Sequence, residues 1–395
     1  MLNTRIEQLK EFYRGFLLDN VVPFWLMHGI DKEYGGYLTC LDRHGDVYNT
    51  DKSVWFQGRG SWLFSQLYNA IGHEQEWIDA AATGIEFLNA HCLDADRRMF
   101  FTVTRDGKPL QKRRYIFSET FAMIALAEYA QATGNKAALR QARHIFDMVV
   151  DIYMNGKMTP KIDPNTRKTK SHSLPMILLS TIQVLREAGN TREYDAFADE
   201  LLNTLFNDFM KPEEQALFET VGEHGERLDS PQGRCINPGH AIETSWFLMH
   251  EGLYRSDNNI LRKALNILIW SLELGWDKEY GGLYSFVDIE GKPTEQLEWD
   301  MKLWWPHTEA LYATLLAHYI TGDTQFEKWH EKVHDYSFDH FEDKECGEWF
   351  GYLHRDGTIA NTLKGSLWKG PFHLPRALLL CLQLMKDKHI GRMDE

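Results

Sequence analysis

Apolar residues recur along this chain at i, i+3, i+4 and i+7 in segments of 13–19 residues, and the segments come in pairs. Short polar loops such as Ile71-Gly72-His73-Glu74 and Thr133-Gly134-Asn135-Lys136 join the members of a pair, which favours antiparallel neighbours. The spacing predicts helices over 54–71 and 76–91, 117–133 and 136–154, 174–187 and 192–209, 240–254 and 258–274, and 307–320 and 324–341. A final helix over 374–386 finds its partner in an N-terminal helix over 5–18. The first members are apolar and rich in small residues (ETSWFLMH, EALYATLLA), the mark of an inner layer. The second members carry more charge (QFEKWHEKVHDYSFDHF) and suit an outer one.

Between the pairs lies an aromatic run, usually closing on an x-Gly turn. It reads GGYLTCLDRHG from Gly35, MFFTVTRDG from Met99, ALFETVGEHG from Ala216, GGLYSFVDIEG from Gly281 and GEWFGYLHRDG from Gly347, with a degenerate copy, KMTPKIDP, from Lys157. The six starts are 58–66 residues apart, and sustained self-similarity at one period means a repeat architecture. The N-terminal helix supplies the missing partner of the last hairpin, so closure is expected rather than an open solenoid. The expected fold is all-α: an (α/α)6 barrel of six helical hairpins with short β excursions at one end. With no Ser/Gly-rich or Pro-rich linker, residues 1–395 are expected to form one domain.

Charge and cysteine usage narrow the setting. A net charge of −14 argues against nucleic acid or an anionic membrane as partner. The five cysteines are odd in number, scattered and free of metal-ligand spacing, which fits free thiols in a reducing compartment. The N-terminus has charges throughout and no apolar leader core, and no apolar run approaches a membrane span. A soluble, cytoplasmic protein is expected. The 13 Trp, 16 Tyr and 22 Phe suit the apolar faces of a sugar, although most must be core.

Equivalent positions of a closed barrel face one mouth. Three predicted inner helices begin NPGHAIE, WWPHTEA and GPFHLPR, and their histidines, His240, His307 and His373, fall 67 and 66 residues apart. A proline stands within two residues before each, a helix-start signal. Stepping back by the same period reaches Met176 and Ile177, then Ser118 and Glu119, then Arg59. His240 and Glu243 share a helix face at i,i+3. Glu309 lies two residues beyond His307, about 200° around the helix, so the two need not both point inward. A helix N-terminus lowers a histidine pKa and a carboxylate raises it, a balance suited to proton transfer near neutrality. No GxxxxGK[ST] loop, GxGxxG turn, HxH or HExxH occurs, so neither a Walker-type site, nor dinucleotide chemistry, nor a metal is expected. The basic stretch TRDGKPLQKRRY, with Lys108, Lys112, Arg113 and Arg114, reads as a solvated loop ahead of a phosphate site.

At these residues the chain resembles the N-acylglucosamine 2-epimerases, whose animal members are also called renin-binding proteins. The likeness runs nearly end to end, through FWLMH from Phe24, DKEYGG from Asp31, VWFQGR from Val54, TRDGKP and IFSE, NPGHAIE, QLEWDMKLWWPHTEA from Gln296, GEWFGYL and KGPFHLPR. The resemblance implies an (α/α)6 barrel, commonly a homodimer, that interconverts N-acetylglucosamine and N-acetylmannosamine, with ATP as an activator that is not consumed. Cellobiose 2-epimerases and mannose isomerases of the wider superfamily resemble this chain at Arg59, His240, Glu243 and His373. They carry a further histidine where this chain has Ile177 after Met176, which favours the N-acyl branch. Pro371 stands where animal members have the cysteine of KGCFH, so His373 must act without a thiol there.

Inverting C2 of an aldose requires ring opening, removal of the proton next to the C1 carbonyl, and its return to the opposite face. The expected acid and base are His240 and His373. Arg59 is expected to hold the developing enolate charge, Glu243 and Glu309 to orient histidines or bind hydroxyls, His307 to support them or aid ring opening, and Trp55 and Trp304 to line the sugar. The alternatives are a mannose or cellobiose epimerase or isomerase of the same superfamily and, more remotely, an inverting glycosidase using Glu243 and Glu309 or a sugar-binding protein.

Overall fold

Every paired segment is helical, and the amphipathic pattern decides which layer each helix joins. The computed structural model describes residues 2–113, 115–158, 163 and 165–386. The chain begins with α1 (Leu2–Gly15), α2 (Val22–His28), α3 (Val54–Ala70), α4 (Gln75–His91), α5 (Phe117–Thr133), α6 (Lys136–Met154) and α7 (Ser173–Gly189). It continues through α8 (Asp195–Thr204), the single turn α9 (Pro231–Arg234), α10 (Pro238–Arg255), α11 (Asn258–Gly275), α12 (Trp304–Thr321), α13 (Thr324–His340) and α14 (His373–Lys386). Helix α5 is buried almost all round, from Ser118 to Glu128, whereas α6 buries one stripe at Ala138, Ala142, Ile145, Phe146, Val149 and Ile152. That contrast is the inner and outer layer of the barrel. The helix α2 goes beyond the expected span. It follows α1 through a wide turn at Phe16–Val21, and Pro23 sits in its first turn, where a missing N–H costs nothing.

The inner helices α3, α5, α7, α10, α12 and α14 each pack on the next, and α14 touches α3, which closes the ring. Outside them α4, α6, α8, α11 and α13 pack on the inner helix they follow, and α1 covers α14. The expected six-hairpin barrel is the observed one.

The aromatic turns do the joining. Each pairs in short antiparallel ladders with the segment leading into an inner helix one repeat earlier: Thr102–Val103 with Lys52–Ser53, Thr220–Gly222 with Thr169–Ser171, Val287–Asp288 with Cys235–Ile236, and Tyr352–Leu353 with Lys302–Leu303. The first turn completes the circle. Leu41 O accepts from the backbone of Lys364 and Gly365 at 3.1 Å, and Thr39 donates to Ser366 O at 3.0 Å. The degenerate third copy, at 157–164, falls largely outside the described residues.

A buried ion cluster accompanies three of these joints. Asp31 meets Lys52 and Arg105, Asp277 meets Lys302 and Arg355, and Asp343 meets Lys364 and Arg43. Each aspartate also accepts from backbone N–H groups two and three residues on. The turn then passes through glycines in the left-handed region, Gly35 and Gly36 at φ 76° and 68°, Gly281 and Gly282 at 77° and 72°. Each cluster ties one repeat's turn to an inner-helix start and to the next turn's Arg-x-Gly tip.

Candidate active site

A cavity of about 1750 Å³ fills the centre of the ring. Its mouth is built by the first turns of the inner helices, where the aromatic turns pin the backbone. His240 is the third residue of α10, after Pro238, and Asn237 caps that helix by accepting from the His240 N–H at 3.1 Å. His373 opens α14. Both rings lie against Trp305, with centroids 5.2 and 5.7 Å away, so the two histidines flank one indole at the cavity wall. Trp55, Arg59, Glu243 and Trp304 also line the cavity.

Each histidine is held by a carboxylate at Nδ1. His240 donates to Glu219 at 3.0–3.1 Å, and His373 donates to Glu309 at 2.7 Å. Among the described residues neither Nε2 has a hydrogen-bond partner, so Nε2 is the atom left for chemistry. Arg376 joins the two sides of the cluster: its Nη2 donates to Glu243 at 2.5 Å and to Glu309 at 2.6 Å, and Glu309 accepts from the Trp246 indole at 2.9 Å.

The surroundings push the two histidines apart in basicity. Burial disfavours the charged form of His240, but Glu219, with Glu243 and Glu309 behind it, outweighs that and raises its pKa. His373 is driven well below the usual range by burial and by the guanidinium groups of Arg59 and Arg376; the charge of Glu309 is shared with Arg376 and does not restore it. Glu219 would be raised by burial alone, yet His240 and His172 hold it well below the carboxylate range. The surroundings therefore favour the imidazolium at His240 and the neutral imidazole at His373, a separation of basicity of the kind that suits an acid and a base.

Arg59 is buried and, among the described residues, makes no hydrogen bond or ion pair. Its guanidinium rests on the faces of Phe121 and Phe372, 4.0 and 4.7 Å from their centroids. Burial and then Arg376 lower its pKa to about 9, against the pull of Glu243 and Glu309. An unneutralised cation in an aromatic cradle is suited to an oxygen that gains charge. Among the described residues the Trp55 indole nitrogen likewise has no hydrogen-bond partner.

Not every expected mouth residue reaches the mouth. His307 does not line the cavity; its Nε2 accepts from Leu283 N at 2.9 Å, its Nδ1 donates to Leu303 O at 2.6 Å, and its ring stacks on Tyr336. Burial takes its pKa down to about 3. The reason is register. Glu243, Glu309 and Arg376 are 66 and 67 residues apart and share the inward column, which places Pro306 in the histidine column and turns His307 about 100° away. Glu309 stands behind His373 rather than on the cavity wall, and Glu119 pairs with Arg98 at 2.5 Å, not with Arg59. Glu243 and Glu309 have oxygens within 4.8 Å and share one guanidinium, closer than an inverting glycosidase requires.

Sequence reasoning missed Glu219, Arg376, Trp305, Trp246 and His172. Two were legible in the repeat. Arg376 follows His373 at i+3 as Glu243 follows His240. Glu219 is the one titratable side chain six residues before the turn glycine, in a column that otherwise reads Thr39, Phe101, Ser285 and Gly351. Two sets of donors are close enough to hold a cation, His172 with Glu219 and His240, and Glu243 with Glu309 and His373; in the second, Arg376 already bridges the carboxylates. On the basic rim, Arg98, Arg113, Lys112 and Lys157 are each paired with Glu119, Asp94, Asp96 or Asp151. Arg114 lies outside the described residues.

Known proteins resemble this chain over nearly its whole length. The family profile for N-acylglucosamine 2-epimerase (GlcNAc 2-epimerase) matches residues 36–374. The N-acylglucosamine 2-epimerase of Bos taurus is 39% identical over 94% of this chain and 90% of its own length. The cellobiose 2-epimerase of Dictyoglomus turgidum is 26% identical over 94% and 96%. Among solved structures, cellobiose 2-epimerase from Bacillus thermoamylovorans superposes with a TM-score of 0.83 at 21% identity over 97% of this chain and 99% of that one, a likeness of fold. A six-hairpin barrel with paired histidines at its mouth and a match of this length leave one assignment: the chain belongs to the N-acylglucosamine 2-epimerase family.

Proposed function

We propose that this protein is an isomerase that interconverts N-acetyl-D-glucosamine and N-acetyl-D-mannosamine by moving a proton at C2. The observation that carries the reading is the pair of histidines against Trp305, each with Nδ1 committed to a carboxylate and Nε2 free, one favoured as imidazolium and the other as neutral imidazole. The open-chain sugar lies between them. In one direction His373 Nε2 takes the C2 proton, the C–H electrons pass into C1=C2, and O1 gains negative charge that Arg59 receives. His240 Nε2–H then delivers a proton to the opposite face of C2. The reverse reaction runs from the inverse proton distribution. Glu219 and Glu309 keep the two rings oriented, Arg376 fixes Glu243 and Glu309, and Trp55 and Trp304 flank the sugar. Apolar Met176 and Ile177 line the wall of the third repeat, which suits an acyl methyl better than a further hydroxyl.

We further propose that the protein is a cytoplasmic homodimer, each chain one domain over residues 1–395. These features rest on the family resemblance and on the five free cysteines. Among the described residues no helix is long and apolar enough to cross a membrane. ATP enters only as an activator that the resemblance implies. At the rim, Arg98, Lys112, Arg113 and Lys157 are already matched by carboxylates, and no step runs through the nucleotide.

The test is a substrate panel. N-acetylmannosamine, mannose and cellobiose are incubated separately with the protein, with and without ATP. Conversion of N-acetylmannosamine to N-acetylglucosamine is the expected result. Turnover of mannose or cellobiose alone would move the protein to the sister branch.

A further inference from the structure

The cavity does not end at the catalytic cluster. Trp62, Phe121, Trp246 and Phe372 form an aromatic collar around Arg376 and Arg59, and the lining continues below it. His250 and Gln383 stand ten residues further along α10 and α14 than the catalytic histidines, about 15 Å deeper at 1.5 Å per residue. The whole volume, about 1750 Å³, exceeds the roughly 300–1,000 Å³ of an ordinary small-ligand pocket. A single hexosamine between the histidines leaves this lower chamber unfilled.

The chamber is furnished with hydrogen-bonding groups. The His250 Nε2 and the Tyr312 hydroxyl are 2.7 Å apart. Glu187 and Gln383 line the cavity and, among the described residues, have no hydrogen-bond or ion-pair partner. Gln383 is half-buried and Glu187 is exposed, and both present their polar groups to the chamber. Glu128 stands near Glu187 and accepts from Asn69 at 2.6 Å. No Lys or Arg lines this depth among the described residues, so the chamber repels phosphates and carboxylates. Trp246, Phe247 and Tyr312 add aromatic surface. Aromatic faces, an amide, a carboxyl and an imidazole–phenol pair without a cation are the chemistry of a neutral polyhydroxyl ligand.

We propose that the lower chamber is a second binding site for a neutral sugar, reached through the catalytic mouth. The choice of sugar rests on the epimerase reading, since the molecule the mouth admits is the one that meets the chamber. The site is wired to catalysis through its roof. Trp246 packs edge-on against His250 and Tyr312, both 5.2 Å between centroids, and its indole donates to Glu309, which holds His373. An occupant beneath Trp246 acts on the orientation of the neutral histidine, so catalysis depends on sugar concentration beyond single-site saturation.

Crystals of the protein soaked in N-acetylglucosamine, together with steady-state rates carried to high sugar, test this. The expected result is sugar density at two levels, with a rate at high sugar that departs from a single-site hyperbola. Gln383→Leu should remove the lower density and the departure while keeping kcat/KM at low sugar within about twofold. Turnover with sugar at the histidines and only water below overturns the second site and leaves the epimerase reading intact. Sugar at neither level with no turnover overturns both. The wild-type density decides the question even if Gln383→Leu does not fold.

Discussion

At the scale of single residues, two histidines carry the chemistry, and their neighbours shift their basicity in opposite directions. His240→Ala and His373→Ala are each expected to abolish turnover while moving the melting temperature by no more than a few degrees, because both rings face a cavity rather than packed core. A variant that keeps near-wild-type rates would remove its histidine from the chemistry. Glu219→Gln tests the electrostatics. The wild-type rate in the direction that uses the resting protonation should fall as pH rises through the raised pKa of His240 and as pH drops through the lowered pKa of His373. Removing the Glu219 charge should move the alkaline limb to lower pH and leave the acidic limb in place; an unmoved alkaline limb would contradict the role of Glu219. Much of this site was legible because register in a repeat is information about space. His240, His373 and Arg59 could be read from the period, and Glu243 from its i,i+3 spacing to His240. His307 could not, because a slip of one residue turns a side chain about 100°. Glu219 lies in a turn, where no helical spacing links it to His240; only its place in the turn column, six residues before the glycine, marks it.

At the scale of elements, the helices were readable from apolar spacing, but what fastens them together was not. Two-residue ladders carry no periodicity, and the Asp–Lys–Arg clusters unite residues from three separate segments. Lys302 is fully buried against Asp277, so Lys302→Met leaves a buried carboxylate short of one cation. Breaking such a pair costs roughly 3–5 kcal/mol, to be read as a lower urea midpoint; a change under about 1 kcal/mol, the range of an exposed pair, would show that the cluster is not structural. The sign of the pH effect follows from the aspartates. Burial alone would raise Asp31, Asp277 and Asp343, but the paired cations and turn N–H groups hold all three well below the usual range. Their contribution is therefore full above the unfolded-state value near pH ~4 and is lost as pH falls toward the folded-state values. Acid unfolding monitored by circular dichroism should shift to higher pH in Asp277→Asn.

At the scale of the whole molecule, closure is what turns six similar hairpins into one site. The first turn fastens to the segment before α14, and α1 covers α14, so the last helix, which carries His373 and Arg376, depends on the first 45 residues. Removing residues 1–28 is predicted to abolish both activity and cooperative melting; an active truncated barrel would refute the closure argument. That dependence was foreseeable from an unpartnered helix at each end of the sequence, while the chamber beneath the histidines was not, since depth depends on side-chain packing across all six inner helices. The central claim is a proton transfer at C2 by two bases on opposite faces. Its most direct test is NMR of N-acetylmannosamine with the wild type, His240→Ala and His373→Ala in D2O. The account predicts N-acetylglucosamine deuterated at C2 from the wild type, and from each variant no epimerisation but C2 exchange confined to the epimer whose proton faces the remaining histidine. Product that retains its C2 proton, or a single-histidine variant that still interconverts the epimers, would contradict it.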